Sequence, residues 1–303
     1  MTQAHQLSPS SPASSASSAS PTGRARLMDG TGLARRILAE TALRAAALTA
    51  RTGTAPCLAT VLVGADPASV TYVRMKRNRC REAGIASRQV ELPAGTTTAE
   101  LVRTLTELSD DPGVHGILLQ HPMGEHIDER AAFEAIVPEK DVDGVTLGSY
   151  SAMSFGLPGF QSCTPGGIMR LLDAYDVDPA GRRAVVVGRS AILGKPVGML
   201  LLGRDATVTY CHSRTRDLSA EVRRADIVVA AVGRPELIRG EDIKPGAVVV
   251  DAGYNPGNVG DVHFDSAVER AGLITPVPGG VGPMTIATLL EQTVTGAERR
   301  SER

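Results

Sequence analysis

Short apolar runs recur along the chain: CLATVLVG (57–64), VHGILLQ (114–120), AVVVG (184–188), ATVTYC (206–211), DIVVAAV (226–232), AVVVDAG (247–253) and LITPVP (273–278). Each is bounded by Gly, Pro or Asp, and helical stretches such as GLARRILAETALRAAALTAR (32–51) lie between them. Continuous Val/Ile/Leu without in-and-out alternation marks strands covered on both faces, the environment of a parallel sheet flanked by helices. The chain therefore reads as α/β. Its 303 residues suffice for two cores, and periodicity fades over 144–165, GVTLGSYSAMSFGLPGFQSCTP, where Gly, Ser and Pro accumulate. The expected organisation is one α/β domain over 26–148 and a second over 149–283. A last helix over 284–298 is able to pack on either.

Composition narrows the function classes. A net charge of -1 with both signs interspersed, no Trp, five Tyr and four Phe leave neither a basic stripe nor a stacking platform for nucleic acid. No run approaches the length of a membrane span. Cys57, Cys80, Cys163 and Cys211 are scattered without a CxxC pair, which argues against a zinc knuckle and for a reducing compartment, with the cytoplasm as the expectation. His115, His121 and His126 match no common zinc spacing, so no metal is expected. Residues 1–25, rich in Ser, Ala and Pro, read as a disordered tail; a transit peptide is the rival, but the segment has few arginines and no amphipathic pattern.

AVVVGRSAILGKP (184–196) is an apolar strand running into Gly188, Arg189, Ser190 and Gly194 and then into a helix. Such a turn sets backbone N–H groups and the positive end of a helix dipole against a pyrophosphate, although a plain strand-to-helix turn has the same pattern. An NAD site carries an acid near the end of the next strand to hold the ribose 2′-hydroxyl. TVTYCHSRT (207–215) has His212, Ser213 and Arg214 there and no acid, and Arg189 adds a second cation. That surround suits a 2′-phosphate, so NADP is the expected cofactor; a surface arginine pair is the other reading.

Among 32 basic residues the chain has only four lysines, Lys76, Lys140, Lys195 and Lys244, and one sits between arginines in SVTYVRMKRNRC (69–80). Lysine can lose its proton when desolvated or placed near other cations, whereas arginine cannot. Spacing alone favours reading Lys76 as one more solvated charge on a helix.

Together YVRMK (72–76), GILLQHP (116–122), PEKDVDG (138–144), CTPGGI (163–168), VVVGRSAILGKP (185–196) and TPVPGGVGPMT (275–285) resemble the bifunctional methylenetetrahydrofolate dehydrogenase/methenyltetrahydrofolate cyclohydrolase family, in order from about Met28 to the last helix. The resemblance implies two α/β domains, the second a Rossmann-like NADP-binding domain, with the C-terminal helix packing back on the first. It implies a homodimer acting on tetrahydrofolate derivatives: hydride passes from 5,10-methylenetetrahydrofolate to NADP, and water then converts the methenyl product to 10-formyltetrahydrofolate. By the same resemblance Lys76 is the catalytic lysine, Gln120 its hydrogen-bond partner, Tyr72 the aromatic residue against the folate and Asp143 the carboxylate on the pterin. The loop with Gly279, Gly280 and Pro283 closes on the substrate, and Gly188, Arg189, Ser190, Ser213 and Tyr254 hold NADP.

The chain departs from the family pattern at His121 to Gly124, where a Leu-Pro-Leu-Pro-like stretch is usual, at Tyr254, where an aliphatic residue is usual, and at Ser149 and Ser151 in the expected linker. These changes leave two alternatives beside the bifunctional reading: a paralogue with dehydrogenase activity only, and a folate- or NADP-binding protein without turnover. A two-domain dehydrogenase of small acids would not need Tyr72, Lys76, Gln120 and Asp143 together.

Overall fold

All seven apolar runs become parallel strands, but they divide between two sheets, and two further strands join them. The computed structural model describes residues 23–64 and 67–302, and the side chains of all these except residues 67–72. The expected tail lies outside this range as far as residue 22.

The first sheet has three strands, β2 (Cys57–Val63), β3 (Ala86–Leu92) and β4 (Gly116–Leu119), in the order β3-β2-β4. The second has β1 (Arg26–Leu27), β5 (Arg183–Val187), β6 (Thr207–Cys211), β7 (Ile227–Ala230), β8 (Val248–Asp251) and β9 (Leu273–Ile274), in the order β1-β9-β8-β7-β5-β6. From β5 the chain steps outward to β6 and then returns to β7 on the other side of β5. This reversal is the topological switch point at which open α/β sheets bind dinucleotides. β4, β5, β7 and β8 are buried along their whole length or nearly so, as their unbroken aliphatic sequences require.

The helices are α1 (Gly30–Thr52), α2 (Pro67–Glu82), α3 (Thr98–Asp110), α4 (Glu129–Glu134), α5 (Leu147–Ser154), α6 (Cys163–Ala174), α7 (Gly194–Leu202), α8 (Leu218–Arg223), α9 (Phe264–Ala267) and α10 (Val281–Ser301). α5 occupies part of the stretch read as a linker: Thr146 caps it by accepting the Ser149 N–H at 3.1 Å, and Ser149 is buried.

α10 begins three residues before its expected start and ends three after its expected end. Its Val281, Met284 and Ala287 share a core with Val186 and Val250 of the second sheet, whereas Ile286, Leu289, Leu290 and Val294 share one with Leu58 and Leu118 of the first. A Cβ on Gly296 would lie 2.8 Å from the His115 carbonyl oxygen, so the helix lies directly against the approach to β4. The C-terminal helix therefore packs back on the first sheet while remaining a wall of the second. β1 makes a second link, since Arg26 and Leu27 pair with Leu273 and Ile274 just before α1 departs.

Lys140 of PEKDVDG is a structural lysine, 6% exposed. Its ammonium donates to the carbonyls of Leu108 (3.1 Å) and Asp111 (2.6 Å) at the end of α3, where helix carbonyls lack intrahelical partners. Lys140→Met is expected to cost about 2 kcal/mol and to lower the thermal midpoint by several degrees, read by circular dichroism, because the Leu108 carbonyl stays buried without a donor while the Asp111 carbonyl keeps only the Val114 N–H at 3.1 Å.

Candidate active site

α2 starts with a proline at its first helical position and carries arginines in its last turn, both favourable placements. Val73 and Cys80, seven residues apart, are buried on its inner stripe, and Lys76 falls between them at helical phase. Its stem is therefore directed at the first sheet, and its ammonium donates to Gln120 Oε1 at 2.9 Å. Gln120 stands just beyond β4, anchored by its N–H to the Val61 carbonyl at 2.9 Å. Its amide nitrogen donates to the His121 carbonyl at 2.7 Å, so the orientation of the amide is set from both ends.

Burial holds the Lys76 amine below its ordinary pKa, opposed by the field of Asp143, and burial likewise raises Asp143, opposed by Lys76. Asp143 takes its place from the loop around it. Asp141, fully buried, accepts the N–H groups of Val145 (3.1 Å) and Thr146 (2.9 Å). The Cys163 N–H donates to the Asp143 carbonyl at 3.2 Å. The Cys163 thiol donates to the Val142 carbonyl at 3.1 Å, and burial with the adjacent Asp143 keeps it protonated.

Lys76 opens into a cavity of about 1070 Å³ between the two sheets, bounded by Arg35 of α1, Thr164, Tyr254 and the loop from Pro276 to Pro283. That loop is locked to α1: the Thr31 N–H donates to the Gly279 carbonyl at 2.9 Å, and a Cβ on Gly30 would lie 1.8 Å from the Gly280 oxygen. Thr164 and Thr285 join across the cavity wall at 2.9 Å. α1, α3, α4, α5 and α8 have side-chain caps from Asp29, Thr97, Asp128, Thr146 and Asp217. α6 and α10 begin at the cavity with no such cap, leaving the positive ends of their dipoles towards the ligand space.

At the switch point Gly188 has φ 139, and a Cβ there would lie 2.2 Å from the Ala231 carbonyl oxygen. A Cβ on Gly194 would lie 2.6 Å from the Gly188 carbonyl, so strand end and helix start meet backbone to backbone. Ser190 Oγ closes the turn by accepting the N–H groups of Leu193 and Gly194, both at 3.2 Å. Because Val187 pairs with Cys211, the exposed Ser213 and Arg214 lie at the same sheet edge as Arg189, and no acid is among them. A glycine cradle at the switch point with a cationic rim fits a dinucleotide bearing an extra phosphate.

The structure thus brings Lys76, Gly279, Gly280, Pro283 and Tyr254 into one cavity. It sets Gln120 against Lys76 and Asp143 beside both Lys76 and Cys163. Gly188, Arg189, Ser190 and Ser213 stand outside that lining, and Ser190 adjoins it through its hydrogen bond from Leu193. Tyr72 lies one helical turn before Lys76 on α2, and its side chain is outside the described residues. His121 pairs with Glu129 at 2.9 Å and packs on the Phe133 ring, whose centroid is 4.9 Å away. The Tyr254 hydroxyl, on a residue 59% exposed, donates to Asn258 at 2.7 Å. Among the described residues no His, Cys, Asp and Glu cluster could hold a metal ion. Sequence reasoning passed over Arg35, Thr164 and Thr285; the threonines stand in quoted motifs, but nothing local marks them as partners across the site.

Two family models match the chain: tetrahydrofolate dehydrogenase/cyclohydrolase, catalytic domain, over residues 28–143, and tetrahydrofolate dehydrogenase/cyclohydrolase, NAD(P)-binding domain, over residues 162–301. The chain is 78% identical over 278 residues to bifunctional protein FolD 1 of Streptomyces avermitilis, covering 92% of this chain and 97% of that one. It is 69% identical to bifunctional protein FolD 1 of Salinispora arenicola, covering 91% and 99%. Among solved structures, the methylenetetrahydrofolate dehydrogenase-cyclohydrolase of Trypanosoma brucei, complexed with NADP cofactor and inhibitor, superposes with a TM-score of 0.89 at 40% identity, covering 93% of this chain and all of that one.

Proposed function

The chain belongs to the tetrahydrofolate dehydrogenase/cyclohydrolase family, and from that premise we propose that it oxidises 5,10-methylenetetrahydrofolate with NADP and hydrolyses the methenyl product to 10-formyltetrahydrofolate. The observation that carries the reading is the Lys76–Gln120 hydrogen bond at 2.9 Å, opening on a cavity closed by the Pro276–Pro283 loop. In the proposal, residues 26–148 and 284–298 form the folate side and 149–283 the NADP side.

NADP, when bound, accepts the hydride; the protein's part in that step is alignment. The Gly188–Ser190 turn receives the pyrophosphate, Arg189 and Ser213 the ribose phosphate, and Tyr254 borders the nicotinamide. Gly279 and Gly280 let the loop backbone approach the paired rings, and Pro283 stands at its far end. Tyr72 packs on the folate, and Asp143 accepts N–H groups of the pterin. For hydrolysis, the neutral Lys76 amine takes a proton from water as the water oxygen bonds to the methenyl carbon. It returns that proton to the ring nitrogen as the carbon–nitrogen bond opens, and the remaining hydroxyl proton leaves as the formyl group forms. Gln120 keeps Nζ aimed at the reacting water.

Purified protein mixed with 5,10-methylenetetrahydrofolate and NADP is expected to form NADPH, and to consume added methenyl substrate faster than the spontaneous reaction. Accumulating methenyl compound with no enzymatic hydrolysis would reduce the reading to a dehydrogenase.

The proposal includes a homodimer in the cytoplasm. Leu147 (57% exposed), Phe155 (80%), Leu157 (60%) and Leu202 (53%) lie on α5, the turn after it and α7, and α7 packs on the unpaired edge strand β6. An apolar surface of this kind next to an open sheet edge calls for a covering partner. Phe155→Glu is expected to halve the mass measured by light scattering; an unchanged mass would remove this face from the interface. The four cysteines are free, as a reducing compartment requires. Among the described residues no helix is long and apolar enough to cross a membrane.

A further inference from the structure

The ends of β7 and β8 are held by two buried carboxylates. Asp251 closes β8 and is 3% exposed; Asp261, in the loop before α9, is fully buried. Asp261 Oδ2 accepts the backbone N–H groups of Val232 (2.6 Å) and Gly233 (2.9 Å), and its Oδ1 accepts the Asn255 side-chain amide at 3.1 Å. Asp251 Oδ1 accepts the N–H groups of Gly253 (2.9 Å) and Asp261 (3.0 Å), and its Oδ2 that of Val262 at 2.9 Å. Neither carboxylate has a salt-bridge partner among the described residues. The packing leaves them no freedom: a Cβ on Gly260 would lie 1.8 Å from Asp251 Oδ2, and one on Gly253 2.3 Å from Asp261 Oδ1.

The segments they hold flank the switch point. Ala231, just before Val232, donates to the Val187 carbonyl at 2.8 Å and faces the Gly188 turn. Asp251, Gly253 and Tyr254 line the cavity. A field argument alone would exclude buried negative charges from the neighbourhood of an anionic cofactor, since they repel it. What two such carboxylates supply is directional: five backbone N–H groups from three loop segments converge on them, which sets the loops before any ligand arrives.

We propose that Asp261, with Asp251 behind it, is a positioning residue for the dinucleotide: it fixes Val232–Gly233 at the end of β7 and, through Asn255, the Tyr254 loop at the end of β8, so that both walls of the crevice are set for NADP. The inference rests on the NADP reading above. It adds a function for Asp261, which does not line the cavity, and for Asp251, which supports it from the cavity wall.

The test is calorimetric titration of NADP into the wild type, Asp261→Ala, Asp261→Asn and Asn255→Leu, with thermal melting and separate KM values for NADP and for methylenetetrahydrofolate. Asp261→Ala is expected to bind NADP at least about tenfold more weakly, with KM rising for NADP far more than for the folate. Asp261→Asn keeps an oxygen for Val232 and Gly233 and is expected to recover to within about threefold of the wild type. Asn255→Leu releases only the Tyr254 loop and should fall between the two, which keeps the test decisive where Asp261→Ala does not fold. If Asp261 acted only through its charge, its removal would tighten NADP binding in both Asp261 variants. Unchanged or tighter binding in Asp261→Ala or Asn255→Leu, or Asp261→Asn as weak as Asp261→Ala, overturns the proposal alone; a wild type that binds no NADP overturns the cofactor reading and the proposal with it.

Discussion

Lys76→Met is expected to remove enzymatic hydrolysis of the methenyl substrate, a fall of about 10² to 10⁴ in rate, while NADPH formation declines far less. The asymmetry follows from the chemistry. Water attack needs a group that takes a proton and gives it back, and methionine fills the volume of the lysine stem without offering one. Hydride transfer needs only alignment of the substrate with the cofactor, to which the amine contributes as one contact among many. The pH profile adds a second readout. Burial lowers the Lys76 pKa from 10.5, so the neutral amine gains population at lower pH than an exposed lysine would allow. Wild-type hydrolysis should therefore rise with pH through a midpoint below 10.5, and that limb should vanish in Lys76→Met. Lys76→Arg should also lack it, because the guanidinium stays protonated throughout. Hydrolysis by Lys76→Met at the wild-type rate would remove Lys76 from the proton path.

The opposite dissection comes from Gly188→Val, expected to abolish measurable NADP binding, by about 100-fold or more, and with it the dehydrogenase step. Its φ of 139 is closed to a branched residue, and its Cβ would stand 2.2 Å from the Ala231 oxygen, a backbone atom that a rotamer change cannot move. Backbone strain of this kind costs roughly 1–3 kcal/mol, and relieving the overlap pushes the turn out of the pyrophosphate position. Hydrolysis of methenyl substrate added directly should survive in larger part, since Lys76 on α2 and Gln120 beyond the end of β4 are held by contacts that do not pass through Gly188. Fluorescence titration with NADPH checks the first expectation and absorbance of the methenyl compound the second. NADP affinity equal to the wild type would separate the Gly188 turn from cofactor binding.

The strands that sequence alone revealed are those whose sequence carries their environment. VHGILLQ, AVVVG and DIVVAAV are aliphatic on both faces because both faces are covered, and covering is written residue by residue. β3 escaped notice for the same reason: ASRQVEL lies at the edge of the first sheet, with its first three residues exposed, and has the composition of a surface loop. β1 is two residues long and exists only because β9, far away in the chain, offers it an edge.

Residue types at the site were legible on similar grounds. A lysine among arginines, a glycine-bearing turn after a buried strand and the absence of an acid after the next are local facts, and each has a chemical consequence that needs no neighbour. Partnership was not legible. Lys140 and Lys76 look alike in sequence, yet one ties down two helix carbonyls while the other opens into the cavity. Asp251 and Asp261 are ordinary aspartates until folding brings five backbone N–H groups to them, and Thr164 meets Thr285 only because α6 and α10 start at the same wall. The sequence by itself thus determined the fold class, the switch-point turn and the kinds of group available for chemistry. Tertiary structure decided which carboxylate is structural, which buried lysine opens into the cavity and which walls enclose the ligand, because desolvation and hydrogen-bond geometry depend on distances between residues that the chain order does not set.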